Sequence, residues 1–234
     1  MCTVSWLHED GGYQLFCNRD EKRSRAQSSG PHVETREGVR CIAPIDGNFG
    51  GSWIAVNEHG LSICLLNGKP SAGPFTSRGL LVLSLIAARS MEEVRARVAA
   101  AGLAAYAPFT MAALMPGSPA MVAQWNREEL RTNLAGDEML PLISSSFAPE
   151  SVRERRTAEF AKMPGVIDAA AMSSFHASHA DGPSAYSPCM HRLDAETVSF
   201  SRIRVTPREV EFHYSPGAPC RGLESEIKRM ERQQ

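Results

Sequence analysis

The chain has 234 residues, of which 43% are hydrophobic and 22% charged, a balance that can fill the core of one large domain. Its formal net charge of −1 provides no basic surface of the kind that binds nucleic acid, so we expect no nucleic-acid partner. The six cysteines are widely spaced without a C-x-x-C pair, which argues against a zinc site. No apolar run approaches the ~20 residues of a membrane-spanning helix, and no secretory signal pattern opens the chain, so we expect a reduced cytoplasmic protein.

Residues 2–18 are predicted to form an antiparallel hairpin. Residues 2–7 are rich in strand formers, residues 8–12 contain two glycines suited to a turn, and residues 13–17 are a second apolar run. A hairpin of this kind brings the polar residues 18–21 back to the neighbourhood of Cys2.

The remaining chain predicts further hairpins with helices grouped in the middle and at the end. In chain order we expect a polar loop (22–37), a strand (39–43), a hairpin (53–66), two helices (78–89 and 90–101), a hairpin (109–125), a short strand (140–143), a helix (149–162), a short helix (166–172), a polar loop (173–186), two strands (197–205 and 210–214) and an exposed charged helix (222–234). This pattern indicates a single α+β domain spanning residues 1–234, with two mainly antiparallel sheets packed face to face and helices outside.

Cys2 is the first candidate for chemistry. After removal of Met1 it would carry a free α-amino group beside its own thiol. The ordinary pKa of an α-amine is about 7.7–8.0 and that of a thiol about 8.5, so the amine can take the proton of the thiol near neutral pH. The alternative is a core cysteine on a first strand, because unpaired cysteines are among the most buried residues.

The run from Asn18 through Arg19 and Asp20 to Glu21 is the second candidate feature. A carboxylate there could orient the α-ammonium of Cys2, and a guanidinium could lower the pKa of its thiol. The alternative is a solvated end of a strand. Further along, a strand that ends in Asn67-Gly68 offers backbone N–H groups to an oxyanion.

Two other polar groups are assigned no catalytic role. His176 and His179 have the i, i+3 spacing of a metal-binding pair, but no third ligand is evident, so we expect neither metal nor cofactor. The charged run at 153–156 is interpreted as a solvated helix face.

Several short motifs, in order, resemble one known family. They are Met1-Cys2, Asn18-Arg19-Asp20-Glu21, Gly50-Gly51-Ser52-Trp53-Ile54 and Leu66-Asn67, followed by Ser144-Ser145-Ser146 and Ser187-Pro188-Cys189. This combination resembles the NRDE family, the family of transport-and-Golgi-organisation protein 2. That family is in turn similar to the N-terminal-nucleophile (Ntn) hydrolases, with choloylglycine hydrolases and penicillin V acylases as its closest chemical relatives. The resemblance implies a four-layer αββα sandwich.

The resemblance also implies roles for particular residues. Cys2 would be the nucleophile with its amine as base, Asp20 would hold the amine, and Arg19 or Asn18 would lie beside the thiol. In the hydrolases the arginine precedes the aspartate by three positions, whereas here the two are adjacent.

The oxyanion would be bound by Asn67 and by a residue that is asparagine in the hydrolases. Here that position is Ser144 or Ser145, with Ser145 preferred, and its hydroxyl is shorter than a carboxamide. Arg202 is a candidate for a distal arginine.

We therefore predict a cytoplasmic N-terminal cysteine amidohydrolase that cleaves a C–N amide bond of a small substrate, for which an acyl compound is one option. It would need no cofactor, and a homo-oligomer is an open possibility. The first alternative is a non-catalytic lipid- or haem-handling or trafficking protein that keeps the fold, with His176, His179 or Cys189 near a cofactor. The second is a redox sensor that uses Cys2.

Overall fold

The computed structural model describes residues 2–165 and 167–233, and in this part of the chain thirteen strands form two sheets. The first sheet has six antiparallel strands in the order β10-β1-β2-β11-β12-β13. Their bounds are Leu142–Ser144 (β10), Cys2–Glu9 (β1), Gly12–Lys22 (β2), Ala195–Val205 (β11), Glu209–Ser215 (β12) and Glu226–Glu231 (β13).

The second sheet has seven antiparallel strands in sequence order from β3 to β9. Their bounds are Ser29–Arg36 (β3), Val39–Ile45 (β4), Ile54–Asn57 (β5), Ser62–Asn67 (β6), Phe109–Leu114 (β7), Met121–Trp125 (β8) and Leu130–Asn133 (β9). Neighbouring strands are mostly joined by short connections, as expected for a sheet built from hairpins.

Among the described residues, four α-helices cover the outer faces of the two sheets. Helices α1 (Arg78–Leu85) and α2 (Met91–Ala100) pack on the seven-stranded sheet, whereas α3 (Pro149–Phe160) and α4 (Ala169–Ala177) pack on the six-stranded sheet. The result is the predicted four-layer αββα sandwich of two antiparallel sheets. Within the described residues no helix combines the length and the apolar character needed to cross a membrane.

The two sheets bury a common apolar layer between them. Side chains alternate between the faces of a strand, so Val4 and Trp6 of β1 point inward together. They meet inward-facing residues of the opposite sheet such as Ile54, Val56 and Leu66. A second apolar cluster joins the outer face of the seven-stranded sheet to α1 and α2.

The predicted N-terminal hairpin is present. In β1 and β2, Cys2 pairs with Arg19 and Glu9 pairs with Gly12, which leaves Asp10 and Gly11 as the turn. Gly11 has φ +70°, a conformation that glycine adopts without strain. The register therefore returns the 18–21 run to Cys2, as the sequence predicts.

The predicted polar loop over residues 22–37 is wrong, because residues 29–36 form the edge strand β3. A strand at the edge of a sheet can be polar because one side of it faces water. The predicted loop over residues 173–186 is also wrong in its first part, since α4 continues to Ala177. Val166, at the start of the predicted short helix, lies outside the described residues.

The predicted terminal helix over residues 222–234 is wrong as well. Residues 226–231 form the strand β13, which pairs with β12. Arg229 binds Glu211 of β12 at 2.7 Å, and Met230 is buried in the layer between the sheets. The charged composition of this segment favours an exposed helix when the segment is read alone, and its pairing with β12 is not visible in the local sequence.

Candidate active site

Cys2 is the first residue of β1 and lies between two neighbouring strands. It pairs with Arg19 of β2 on one side and with Ser144 of β10 on the other. Its backbone nitrogen donates a hydrogen bond to the Ser144 hydroxyl at 3.0 Å. Its side chain is 6% exposed and points into the layer between the sheets. The nucleophile candidate is thus held in place by both neighbouring strands.

The thiol of Cys2 belongs to a row of buried, unoxidised cysteines. Cys17 lies between Cys2 and Cys64 and interacts with both thiols. A hydrogen bond with Cys17, together with burial, raises the pKa of the Cys2 thiol well above its ordinary value. The Cys2 thiol is therefore protonated near neutral pH, and a nearby base is needed to activate it.

A cleft opens beside Cys2 at the ends of the strands. It consists of two adjoining cavities of about 300 Å³ and 500 Å³, the smaller of which is lined by Cys2. The larger is lined by Asp20, Ser144 and Ser145, and Asn67 lines both. Arg19 also lines the smaller cavity. Five of the six predicted site residues therefore line the cleft.

Asp20 is fully buried in a network of hydrogen bonds. Its carboxylate accepts from the Thr197 hydroxyl at 2.7 Å and from the Arg156 guanidinium at 3.1 Å. Arg156 also donates to the hydroxyl of Thr3, the residue next to Cys2. The network fixes the Asp20 carboxylate in position. Asp20 directly follows Arg19 on β2, and Arg19 is the residue that pairs with Cys2.

Arg19 is held by a separate ion pair. Its guanidinium donates to Asp46 at 2.6 Å and lies 4.3 Å from the centre of the Trp53 ring. Burial pushes the pKa of Asp46 upward, but hydrogen bonds and charge from Arg25, with the charge of Arg19, outweigh burial and lower it. Asp46 is therefore ionised at neutral pH and compensates the charge of Arg19.

Asn18 lies on the opposite face of β2 from the thiol of Cys2. Its amide donates to the carbonyl oxygens of His176 and Pro188 at 2.8 and 2.9 Å. The structure thus joins Asn18 to the end of α4 and to the segment before β11, rather than to the cleft.

The two oxyanion candidates, Asn67 and Ser145, line the same larger cavity of the cleft. Asn67 ends β6, and the neighbouring Gly68 N–H donates to the Pro108 carbonyl at 2.8 Å, so this N–H is not free for an oxyanion. The Ser145 hydroxyl donates to the Phe147 carbonyl at 2.6 Å and accepts from the Phe147 N–H at 3.1 Å.

The start of α1 brings a further cation to the cleft. Arg78 lines both cavities and donates to the Pro108 carbonyl at 2.7 Å. Burial lowers the pKa of Arg78, and a negative charge formed at Cys2 would oppose this shift. Gly51 permits this approach because a Cβ there would lie 2.5 Å from the Gly79 backbone.

Sequence reasoning missed two arginines of the site. The predicted solvated helix face is wrong for Arg156, because this residue is 1% exposed and bound to Asp20. The sequence marks Arg78 only as the start of a helix. The proposed distal Arg202 lies instead beside His213 of β12, at 3.4 Å. The one sequence signal for Arg156 is helix periodicity, which places this residue on the inward face of α3.

His176 and His179 lie in different surroundings and do not form the pair that their spacing suggests. His176 is buried within hydrogen-bonding distance of the Ser5 hydroxyl, at 2.8 Å. His179 instead lies with Cys189, His191 and Cys220, and their ligand atoms are all within 4.8 Å of one another. The expectation that no third ligand lies near is therefore wrong for His179, because the fold brings Cys189 and His191 from the same connection, and Cys220 from a later one, beside it.

Solved structures with a similar fold include several hydrolases. Penicillin V acylase from Agrobacterium tumefaciens aligns with a TM-score of 0.59 and 10% identity over 99% of this chain and 86% of that one. A conjugated bile acid hydrolase variant from Clostridium perfringens gives 0.54 and 14% over 99% and 92%. The N-acylethanolamine-hydrolyzing acid amidase orthologue from Caenorhabditis elegans gives 0.51 and 10% over 86% and 92%. At such low identities the likeness establishes the Ntn-hydrolase fold.

Sequence comparisons place the chain in a family. A search of curated protein sequences returns no significant match. The family model described as Transport and Golgi organisation 2 matches residues 1–166, more than half of the chain. The chain therefore belongs to the Transport and Golgi organisation 2 family.

Proposed function

We propose that this protein is a cytoplasmic N-terminal cysteine amidohydrolase that cleaves a linear amide of a small molecule. The observation that carries the proposal is the position of Cys2: it starts an inner strand, its nitrogen is held by Ser144, and its side chain lines a cleft. Three solved structures with this fold are named as an acylase, a hydrolase and an amidase, which supports the reaction class.

The first step depends on the free amine of Cys2 after Met1 is removed. The Cys2 thiol transfers its proton to this amine, and the sulfur attacks the carbonyl carbon of the amide. Because burial and Cys17 raise the pKa of the thiol, an intrinsic base is required. The Asp20 carboxylate, fixed by Arg156 and Thr197, would orient the resulting ammonium.

The second step breaks the C–N bond. Negative charge on the carbonyl oxygen would be stabilised by Asn67 and Ser145, which lie on the cleft wall. The α-ammonium of Cys2 gives its proton to the leaving nitrogen, and the amine product departs from a thioester. Water, deprotonated by the same α-amine, then attacks the thioester and releases the carboxylic acid and the thiol.

The lining of the cleft favours an amide with an apolar acyl part. Trp53, Leu65 and Phe75 line the cavity that contains Cys2. Arg78 lies in the same cavity and could bind an anionic substituent on either product half. Apolar walls with a few polar groups are typical of small-molecule sites.

The proposal is tested with a panel of N-acyl amides and the Cys2→Ala variant. We expect wild-type protein to release acid and amine, and we expect the variant to lose the activity while remaining folded. Cys41→Ala is the matched control, because Cys41 is also a buried free cysteine but faces the helices of the seven-stranded sheet. Equal amide cleavage by Cys2→Ala would exclude the mechanism.

The haem- or lipid-binding alternative has weaker support at the predicted positions. His176 is completely buried and packs against Phe16 and Phe175, so a haem could not reach its ring without displacing α4. Its imidazole is also within hydrogen-bonding distance of Ser5. These contacts favour the Cys2 cleft over His176 as the functional site.

A further inference from the structure

Four side chains that can bind a metal ion lie close together beside the six-stranded sheet, away from the thiol of Cys2. They are His179, just after α4; Cys189 and His191, before β11; and Cys220, in a short 3₁₀ helix after β12. We refer to these four residues as the Cys₂His₂ cluster. Nothing in the amidohydrolase mechanism uses them.

The distances within the cluster match those around a tetrahedral zinc ion. The Nε2 atom of His191 lies 3.6 Å from the Cys189 sulfur and 3.4 Å from the Cys220 sulfur. Bond lengths of about 2.3 Å for Zn–S and 2.0–2.1 Å for Zn–N place tetrahedral sulfur and nitrogen ligands about 3.6 Å apart. All four ligand atoms lie within 4.8 Å of one another, so small side-chain movements would complete the tetrahedron.

Among the described residues, one buried nitrogen atom of the cluster has no hydrogen-bond partner. It is the Nε2 atom of His179. A buried imidazole nitrogen without a partner is costly unless a ligand or metal satisfies it. The nearby Glu196 is already paired with Arg23 and Arg221, at 2.9 and 2.8 Å.

We propose that the Cys₂His₂ cluster binds one structural Zn²⁺ ion through His179, Cys189, His191 and Cys220. Two thiolates and two neutral imidazoles compensate the charge of the ion completely and supply the sulfur and nitrogen ligands that zinc prefers. Four protein ligands leave no open position for water or substrate, so the role is structural rather than catalytic.

The ion would stabilise the segment that supports Asp20. Between the two ligands Cys189 and His191, the Met190 N–H donates to the Thr197 hydroxyl at 2.8 Å. That hydroxyl in turn donates to Asp20 at 2.7 Å. Binding of zinc would therefore tie the ends of α4, the segment before β11 and the 3₁₀ helix together, and would hold Thr197 against Asp20.

The test begins with tag-free protein purified under reducing conditions and analysed for metal by mass spectrometry. We expect one zinc ion per chain. After chelation and titration with Co²⁺, we expect the thiolate-to-cobalt charge-transfer band and the intense visible bands of a tetrahedral site. A chelator should also lower the thermal midpoint of the wild-type protein by several degrees.

The variants assign the site to these residues. Cys220→Ser changes an exposed side chain, so the fold should be retained. We expect this variant and His191→Ala to lose zinc and to weaken the cobalt bands. Cys41→Ala should retain both signals. The proposal is overturned if the reduced chain binds no Co²⁺, if the bound Co²⁺ shows no thiolate band, or if Cys220→Ser binds it as wild type does. The proposal is also overturned if Cys189 and Cys220 form a disulfide and the protein binds no metal after that disulfide is reduced.

Discussion

Arg156 and Asp20 form an ion pair of 3.1 Å in which both side chains are essentially inaccessible to solvent. The pair joins α3 to the second strand of the N-terminal hairpin, across 136 residues of sequence. Because Arg156 also donates to Thr3, it connects the Asp20 carboxylate to the strand that begins with Cys2. The pair thus links the outer helix layer to the candidate active site.

Loss of this pair should destabilise the protein strongly. Arg156→Ala leaves the Asp20 carboxylate buried with one cation fewer, and breaking a buried ion pair costs about 3–5 kcal/mol of unfolding free energy. Urea denaturation measures the difference. The control is Arg153→Ala, on the same helix but exposed, which should change stability by less than about 0.5 kcal/mol. Equal stability of the two variants would contradict the structural role of the pair.

His176 should make the protein sensitive to mild acid. Burial, and to a lesser extent the charge of Arg156, lowers the pKa of His176 to about 3. The unfolded chain then binds a proton below about pH 6.5 while the folded chain does not, so stability falls as the pH falls. The expected loss between pH 7 and pH 5 is about 2 kcal/mol.

The His176→Gln variant should show a flatter dependence of unfolding free energy on pH over this interval. His32→Gln is the control, because the His32 side chain is 45% exposed. Urea titrations at pH 7 and pH 5 give the comparison. If His176→Gln keeps the full wild-type slope, acid sensitivity arises elsewhere.

The contact between Gly51 and Gly79 should tolerate no added methyl group. In Gly51→Ala the new Cβ would lie 2.5 Å from the Gly79 carbonyl carbon and force the start of α1 away from the cleft. We expect a loss of about 1–3 kcal/mol in stability, with weaker substrate binding because Arg78 moves. Gly165→Ala, which has open space around it, should behave as wild type in both thermal unfolding and KM.

Some of this architecture could be predicted from the sequence, because it depends on local signals. The hairpin that brings Arg19 to Cys2 follows from two apolar runs around a glycine turn. The contact of the Cys2 nitrogen with Ser144 spans 142 residues and has no local pattern. The Cys₂His₂ cluster has no local pattern either, since its residues come from two connections, the one before β11 and the one after β12, that only the folded sheet brings together.

The two oxyanion candidates should differ in their contributions to catalysis. Removal of one oxyanion donor costs about 10²–10³ in kcat, and we expect Asn67→Ala to show a loss of this size. Ser145→Ala should cost less, because the Ser145 hydroxyl is already engaged with Phe147. Steady-state kinetics with the best amide substrate measures both, and an unaffected kcat in Asn67→Ala would remove it from the proposed mechanism.

The central claim is that Cys2 is an N-terminal nucleophile, and intact-protein mass before and after a brief pulse of a thiol-reactive acylating probe tests it most directly. We expect a mass without Met1 and a single added label on Cys2, formed faster than on any of the other five cysteines, including the exposed Cys220. Retention of Met1, or labelling of Cys2 no faster than the other cysteines, would contradict the proposed mechanism.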